Sequence, residues 1–471
     1  MELDIEDKIE DKIIDLIQYK KMNELHELLE DINPADFPGL FEDMSQEYIS
    51  IIYRLLSKEK AAEVFAELDP DVQEKLINVF TDKELKSVID DLFMDDTVDL
   101  IEEMPSNVVK RILKNIKPSD RKIINDLLKY PEDSAGTIMT TEFIDLKKDM
   151  TVEQGFQKIK KIGLKKETVY TCYVVDSSRK LVGSVDIKEM LIADRDDKIE
   201  DILDDNVISV LTTEDKEEVA KMFDKYNYVA MPVVDKENRL VGIVTIDDAI
   251  DVLQDENTED FEKMAAILPN EDTYFKTKVI THAKNRIMWL LILMLSSTFT
   301  GLIIERFQSA IAAVPLLATF MTMISGTGGN CGSQSSTLII RGLVLNEIKL
   351  TDIFKAIWKE FRVALIVGII LAAVTGLRIY LQYQGSLGLD YTLKLAEVVG
   401  ITLILTAVIA EFMGCVLPML AKKLNLDPAI MASPLITTIV DLCSMLVFFN
   451  VAVSVISVNC FVIELSSWSS T

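Results

Sequence analysis

The sequence predicts a three-part membrane protein: an N-terminal all-α, solenoid-like helical domain over 1–130, a duplicated α/β module over 131–253, and a C-terminal five-helix α-helical transmembrane domain over 285–471, joined by a charged connector at 254–284. Three observations predict this class. Apolar runs near the roughly 20 residues that a spanning helix needs occur only after about residue 280. Charge divides at the same place: there are 14 basic and 12 acidic residues from Glu271 onward, against 35 and 64 before it, so the first 270 residues carry −29 and the rest +2. A strand–turn–strand pattern in the acidic half recurs some sixty residues later.

The anionic surplus excludes a nucleic-acid binder, which needs a basic footprint, and it opposes adsorption to anionic lipid. Such a surface ordinarily serves solubility; it also makes divalent cations natural counter-ions. The five cysteines (Cys172, Cys331, Cys415, Cys443, Cys460) lack C-x-x-C spacing, and the two histidines, His26 and His282, are far apart. Reduced thiols are therefore expected, and no zinc or redox-disulfide site. The opening Met-Glu-Leu-Asp-Ile-Glu has no basic region before an apolar core, so the first span is expected to direct targeting. No P-loop, dinucleotide fingerprint or nucleophile–base pattern points to an enzyme.

Within 1–130, N-cap residues at Ser45, Ser57, Asp69, Thr81, Asp95, Ser106 and Ser119 recur every 11 to 14 residues. Between them lie apolar positions at helical intervals, such as Val64, Phe65 and Leu68. Helices this short are marginal alone and must stack. A small solenoid meets that need; an irregular helical bundle fits the pattern equally well.

From about Ser134 the period changes. Val169–Asp176 and Leu181–Val185 form one strand pair, Val229–Asp235 and Leu240–Thr245 the other, each flanked by helices. The duplication resembles a tandem CBS pair, a module that holds adenine nucleotides or metal ions. Gly242-Ile-Val-Thr245-Ile-Asp-Asp248 matches the family's G-h-h-T-x-x-D end, so the resemblance gives Thr245 and Asp248 the ribose and phosphate of a bound ATP or other adenine nucleotide. The first copy departs from it, with Asp186 and Glu189 at the two positions. The connector beyond is expected to be largely helical, with a break at Pro269-Asn270.

Five spans are expected: Ile287–Ile304; a second from about Ile311, interrupted at Ser325–Asn330 and resuming at Thr337–Ile340; Phe361–Tyr383; Leu395–Ala421; and Leu435–Ile463. Lys and Arg before the first span, between the second and third, and after the fourth put those segments inside by the positive-inside rule. The N-terminal domains are then cytoplasmic and the C-terminus outside, in a multi-pass protein of a bacterial plasma membrane. Asp441 lies within the last span. A carboxylate there costs about 2.5–3.5 kcal/mol on insertion scales and normally faces a cavity or partner. Thr437, Thr438 and Ser444 share its helical face, and no Lys or Arg in the span neutralises it, so a cation suits it. A protonated Asp bonded to a neighbouring helix is the competing reading. The glycine-rich stretch reads as unwound backbone, with the carbonyls of Gly328 and Gly329 and the side chains of Asn330 and Gln334 facing a hydrated ion; a helix-packing kink is the alternative. Glu411 is a further buried candidate, as easily explained by packing. Mg²⁺ keeps most of its water and binds through one or two carboxylates, which suits one Asp per subunit ringed by hydroxyls.

Four motifs in order carry a wider resemblance: Tyr130-Pro-Glu-Asp-Ser-Ala-Gly136, Gly326-Thr-Gly-Gly-Asn330-Cys-Gly-Ser-Gln334-Ser-Ser-Thr-Leu-Ile-Ile-Arg341, Asp427-Pro-Ala429 and Pro434-Leu-Ile-Thr-Thr-Ile-Val-Asp441. With the domain order, they make the chain resemble the MgtE family of Mg²⁺ channels. The resemblance implies a homodimer with the pore between subunits and Asp441 as the filter carboxylate. It also implies regulatory Mg²⁺ sites at Asp95, Glu217, Asp248, Asp251, Glu256, Glu259, Asp260 and Asp427, with Asn227 where a relative has Asp. Mg²⁺ uptake gated by intracellular Mg²⁺ is the function implied. A secondary transporter of Mn²⁺ or Co²⁺, and a membrane-anchored CBS sensor, are the alternatives.

Overall fold

The computed structural model describes residues 3–41, 44–270, 274–431 and 433–456. It forms two compact units that divide between Gln254 and Asp255.

The first unit opens with α1 (Leu3–Gln18), α2 (Met22–Asp31) and the short α3 (Phe37–Phe41). Ten-residue helices follow: α4 (Gln46–Leu55), α5 (Lys58–Glu67), α6 (Pro70–Val79), α7 (Asp82–Asp91), α8 (Met94–Glu103), α9 (Ser106–Asn115) and α10 (Pro118–Leu127). The helices α4 to α9 each end on an extended apolar residue: Leu56, Leu68, Phe80, Leu92, Met104 and Ile116 in turn. These closing residues, not the cap side chains, keep the register, because Leu68, Phe80, Met104 and Ile116 are buried in the core. Ser45, Ser57, Asp69 and Thr81 occupy N-cap positions as expected; Thr81 forms a reciprocal capping box with Glu84, whereas Ser45, Ser57 and Asp69 make no side-chain cap hydrogen bond. The other three expected caps are corrected: Phe93, Pro105 and Lys117 occupy the cap positions, and Asp95, Ser106 and Ser119 fall inside the first turns. Packing runs between alternate helices, α4 on α2 and α6, and α7 on α5 and α9. That arrangement is a stacked, solenoid-like array. Its core continues through Met139, Val210, Phe223 and Met231 into the second copy of the α/β module.

Each copy of that module holds a three-stranded sheet. The first is β1 (Asp145–Lys147), β2 (Thr171–Val175) and β3 (Leu181–Asp186), with α11 (Val152–Ile162), α12 (Ile187–Ile192) and α13 (Ile199–Ile202). The second is β4 (Val210–Leu211), β5 (Ala230–Val234) and β6 (Leu240–Thr245), with α14 (Lys216–Tyr226) and α15 (Ile246–Met264). In both, the first strand pairs parallel to the second and the second antiparallel to the third, with a register shift at the matching place, Val174/Val175 and Val233/Val234. The copies are also clasped. Thr140, ahead of the first copy, exchanges both backbone hydrogen bonds with Ile243 of β6, and Asp204, ahead of the second, does so with Ser184 of β3. Gly183 and Gly242 make room for this crossing: a Cβ on Gly183 would lie 2.4 Å from the Asp204 carbonyl oxygen, and one on Gly242 2.8 Å from that of Thr140. The connector begins as a continuation of α15, without a break from the last CBS-like helix.

The second unit comprises α16 (Val279–Arg306), α17 (Gln308–Ala313), α18 (Leu317–Val344), α19 (Ile353–Leu387), α20 (Leu389–Lys423) and α21 (Ser433–Ile456). Among the described residues, four helical segments are long and apolar enough to cross a membrane: Val279–Arg306, Leu350–Ser386, Leu389–Lys423 and Pro428–Ile456. The end of the expected fifth span, 457–463, and Cys460 lie outside the described residues. α18, with 28 residues, is diluted by Gly, Ser, Thr, Asn and Gln. The break expected in it at Ser325–Asn330 is not there: α18 runs unbroken, and the chain bends instead at Val314–Leu316, where Pro315 separates it from α17. The glycines serve contact. A Cβ on Gly328 would lie within 3 Å of Thr406, Ser444 and Val440, one on Gly329 2.8 Å from Thr437, and one on Gly332 2.8 Å from Ile436. Across the same seam, a Cβ on Gly414 of α20 would lie 2.4 Å from the carbonyl oxygen of Gly332. Small residues thus let α18 lie close to α20 and α21.

Candidate ion-binding sites

In the second unit, Asp441 sits half-buried in the middle of α21, and Ser325 of α18 donates its hydroxyl to Asp441 Oδ1 at 2.5 Å. On the same helix Thr438 donates to the Pro434 carbonyl, and Thr437 packs against Gly329. Ser444 is buried; its Oγ, like that of Thr406 on α20, has no hydrogen-bond partner. Gly328 and Gly329 are buried within α18, so their carbonyls belong to its helical ladder and are not freed. Asn330 and Gln334 lie on a different face. Together with Thr322 and Gly326 they are exposed at four-residue intervals, a polar stripe along a helix otherwise packed on α20 and α21. Glu411 of α20 is buried with Oε2 unpartnered, and its backbone carbonyl accepts from Ser335.

In the first unit, the first turn of α8 brings Asp95 and Asp96 toward Asp248 in the first turn of α15 and Glu167 in the loop before β2. Burial, then the charges of Asp96, Asp248 and Glu167, push Asp95 up to about 9. Burial and the neighbouring carboxylates Asp247, Asp96 and Asp248 carry Glu167 to about 8. Asp96 and Asp248 are each raised to about 6, burial first, although the Thr245 hydroxyl donates to Asp248 at 2.5 Å and pulls the other way. Asp95 Oδ1 and Glu167 Oε2 are sealed from solvent with no hydrogen-bond partner. Buried acceptors without a donor, crowded by like charge, fit a cation. Among the described residues no three His, Cys, Asp or Glu side chains converge closely enough to enclose a bare metal ion.

The other expected metal residues divide. Glu217, at the start of α14, pairs with Lys221 at 2.6 Å. Glu259 and Asp427 are brought together by one ammonium: Lys263 lies 2.7 Å from each. Burial lowers that lysine's pKa, but the bonds to Asp427 and Glu259 outweigh it and hold it well above the ordinary lysine value. Asp251, Glu256 and Asp260 follow along α15, each engaged with a neighbour. Asn227 closes α14 in the left-handed conformation, φ 54°, which Asn tolerates better than most residues. Sequence reasoning missed Ser325, Asp96 and Glu167 as partners; only the acidic neighbourhood of Asp95 and Asp247 hinted at the last two.

An acidic helical domain, a clasped α/β pair and a unit of long apolar helices carrying a carboxylate define a cation transporter with an acidic N-terminal half. Family models agree: a divalent cation transporter domain matches 321–451, the MgtE intracellular N domain 32–133, and CBS domains 135–196 and 199–255. The magnesium transporter MgtE of Thermus thermophilus is 33% identical over 95% of this chain and 98% of its own length; that of Bacillus subtilis is 32% identical over 94% and 97%. A crystal structure of the soluble part of a magnesium transporter superposes with a TM-score of 0.50 at 28% identity, covering 53% of this chain and 99% of that one. The chain belongs to the MgtE family of magnesium transporters.

Proposed function

We propose that the protein is a homodimeric Mg²⁺ channel of the bacterial plasma membrane, gated by Mg²⁺ on its cytoplasmic side. The observation that carries the pore is Asp441, a carboxylate on an apolar helix, met by Ser325 rather than by a basic residue. In this reading α18 is a fifth span. Its exposed stripe of Thr322, Gly326, Asn330 and Gln334 needs water or a polar partner, which a pore between two subunits supplies. Two copies of Asp441 then face one hydrated ion, with Thr437 and Thr438 adding hydroxyls.

Gating rests on the cluster of Asp95, Asp96, Glu167 and Asp248. Without a cation, those of these carboxylates that give up their protons repel one another and loosen the helical domain from the α/β pair. A hydrated Mg²⁺ bridges them through its waters, which suits carboxylates too far apart to enclose a bare ion. α15 starts at this cluster and ends beside Lys263, so the state of the cluster reaches the Glu259–Lys263–Asp427 clasp along one helix. Glu217, Asp251, Glu256 and Asp260 add weaker sites, and several acting together steepen the response. An adenine nucleotide at Thr245 and Asp248 would have to arrive with its own cation, given the carboxylates around them.

The test is Mg²⁺ entry into dye-loaded proteoliposomes, with Mn²⁺, Co²⁺ and Ca²⁺ alongside. Asp441→Ala should abolish uptake or its ion preference. Faster uptake of Mn²⁺ or Co²⁺ than of Mg²⁺ by the wild type would point to a transporter of another divalent cation. No uptake by folded protein with a Mg²⁺-free internal face would leave a membrane-anchored sensor.

A further inference from the structure

The first turns of α19 stand beside α20 and leave a groove of about 420 Å³ between the two helices. Phe354, Trp358 and Phe361 of α19 form one wall, and Val408, Ile409 and Phe412 of α20 the other. No ionisable side chain lines it. Further along α19 the helices close up: a Cβ on Gly368 would lie 2.9 Å from the Cα of Ile404. The groove is thus the open end of a tight seam, and its aromatic side chains stay exposed, Phe354 by 82% and Trp358 by 59%. An apolar wall of this kind on a spanning helix ordinarily meets lipid of any sort. Depth and charge narrow the occupant.

With 35 residues, α19 is about 52 Å long against a hydrocarbon core of about 30 Å, so its ends reach the headgroup layers. Lys355, Lys359 and Arg362 repeat the spacing of the three aromatic residues one position on, which sets an exposed basic stripe about 100° round the same helix. Lys355 pairs with Asp352 at 2.8 Å, whereas Lys359 and Arg362 have no acidic partner among the described residues. The Arg362 guanidinium stands over the Trp358 ring, 5.9 Å from its centroid. The other apolar body that could fill the groove is α16 of a second copy. Its one acidic residue, Glu305, lies at its far end, and the end on the basic side of the membrane carries Lys284 and Arg286, so like charges would meet. An anionic headgroup instead supplies the missing counter-charge. We propose that this groove holds an acyl chain of one anionic phospholipid of the cytoplasmic leaflet, its phosphate met by Arg362, Lys359 and Lys355. The bound lipid braces α19 on α20 at the open end of their seam. This goes beyond the channel reading and takes from it only the orientation of α19.

Tryptophan fluorescence of the full-length protein in bilayers tests this. With Trp289→Phe and Trp468→Phe, Trp358 is the one reporter left of three. Brominated phosphatidylglycerol should quench it with about fivefold higher affinity than brominated phosphatidylcholine, the effect of one well-placed basic residue near a charged headgroup. Lys359→Gln/Arg362→Gln, altered only at exposed positions, should bring the two lipids to parity with the circular dichroism unchanged. Lys284→Gln/Arg286→Gln should keep the preference, and millimolar inorganic phosphate should not displace the lipid. Equal quenching by both lipids before the basic residues are changed would overturn the proposal, as would a preference that survives Lys359→Gln/Arg362→Gln. Displacement by phosphate would assign the basic stripe to a free anion and overturn it too. A Trp358 quenched by neither lipid would give the groove to a second copy. Failure of the channel reading is separate, since absent Mg²⁺ uptake in the same vesicles leaves the quenching ratio as it is.

Discussion

Asp441 accepts a hydrogen bond from Ser325, a residue 116 positions earlier, and that pairing separates two contributions to the proposed filter. A hydrogen bond to a charged group is worth about 1.5–3 kcal/mol, so Ser325→Ala should slow Mg²⁺ uptake by roughly tenfold or shift its preference toward larger ions, while Asp441→Ala removes uptake. Proteoliposome flux measured side by side checks this; a Ser325→Ala channel identical to wild type in rate and preference would remove Ser325 from the filter. At the acidic cluster the sign of the pH effect follows from the direction of the shifts. Asp95 and Glu167 are raised to about 9 and about 8, above the roughly 4 that free carboxyls show, so between those values the folded state holds more protons than the unfolded one. Stability from these groups is complete below about pH 4 and is lost as pH climbs through 8 and 9. Thermal unfolding of the protein in EDTA should therefore show a lower midpoint at pH 9 than at pH 6, and excess Mg²⁺ should flatten the trend. At this scale the sequence singled out Asp441, because an acid in an apolar run has few explanations, and singled out Asp95 and Asp248 through the family resemblance. It could not disclose Ser325 or Glu167, whose importance comes from neighbours far away in the chain.

At the scale of elements, the glycine-rich stretch shows how composition misleads. Glycine suits both unwound backbone and close helix contact, and only the neighbours decide between them. Here Thr406, Val440, Ser444, Thr437 and Ile436 fill the space where side chains would be, so the helix continues. Gly414→Val should push α20 off α18 where the Gly332 carbonyl now touches. A cost of about 1–3 kcal/mol is usual for such overpacking, and a lower melting temperature in detergent with reduced flux would register it; unchanged melting would mean the seam can open freely. The helical array teaches the converse lesson. Its existence was legible from apolar spacing, but the caps at Asp95, Ser106 and Ser119 were misassigned because polar residues in a first turn resemble caps. The buried closing residues Leu68, Phe80, Met104 and Ile116 were the stronger guide. Freed from capping, Asp95 can turn its carboxylate toward the cluster.

Taken whole, the molecule sets a strongly anionic half against a nearly neutral one, and the division at the connector was plain from charge and hydropathy alone. The crossing of Thr140 and Asp204 between the two sheets was not, since single-residue bridges leave no periodic trace; Gly183 and Gly242 were their only sign. The gating proposal predicts that chelating Mg²⁺ exposes the segment 128–144 to protease, and that Asp95→Asn/Asp248→Asn makes cleavage indifferent to Mg²⁺ by removing the repulsion. Limited proteolysis with and without millimolar Mg²⁺ decides it, and a wild-type pattern that ignores the ion would refute the idea. The clasp also orders events at the ribosome. Thr140 emerges about a hundred residues before Ile243, the partner that takes both its backbone bonds, and Ser184 must wait for Asp204. Neither sheet is finished until the other is nearly complete. The pair must then mature as one late, indivisible step, and a gene cut between the two copies would leave each fragment holding the missing edge of the other.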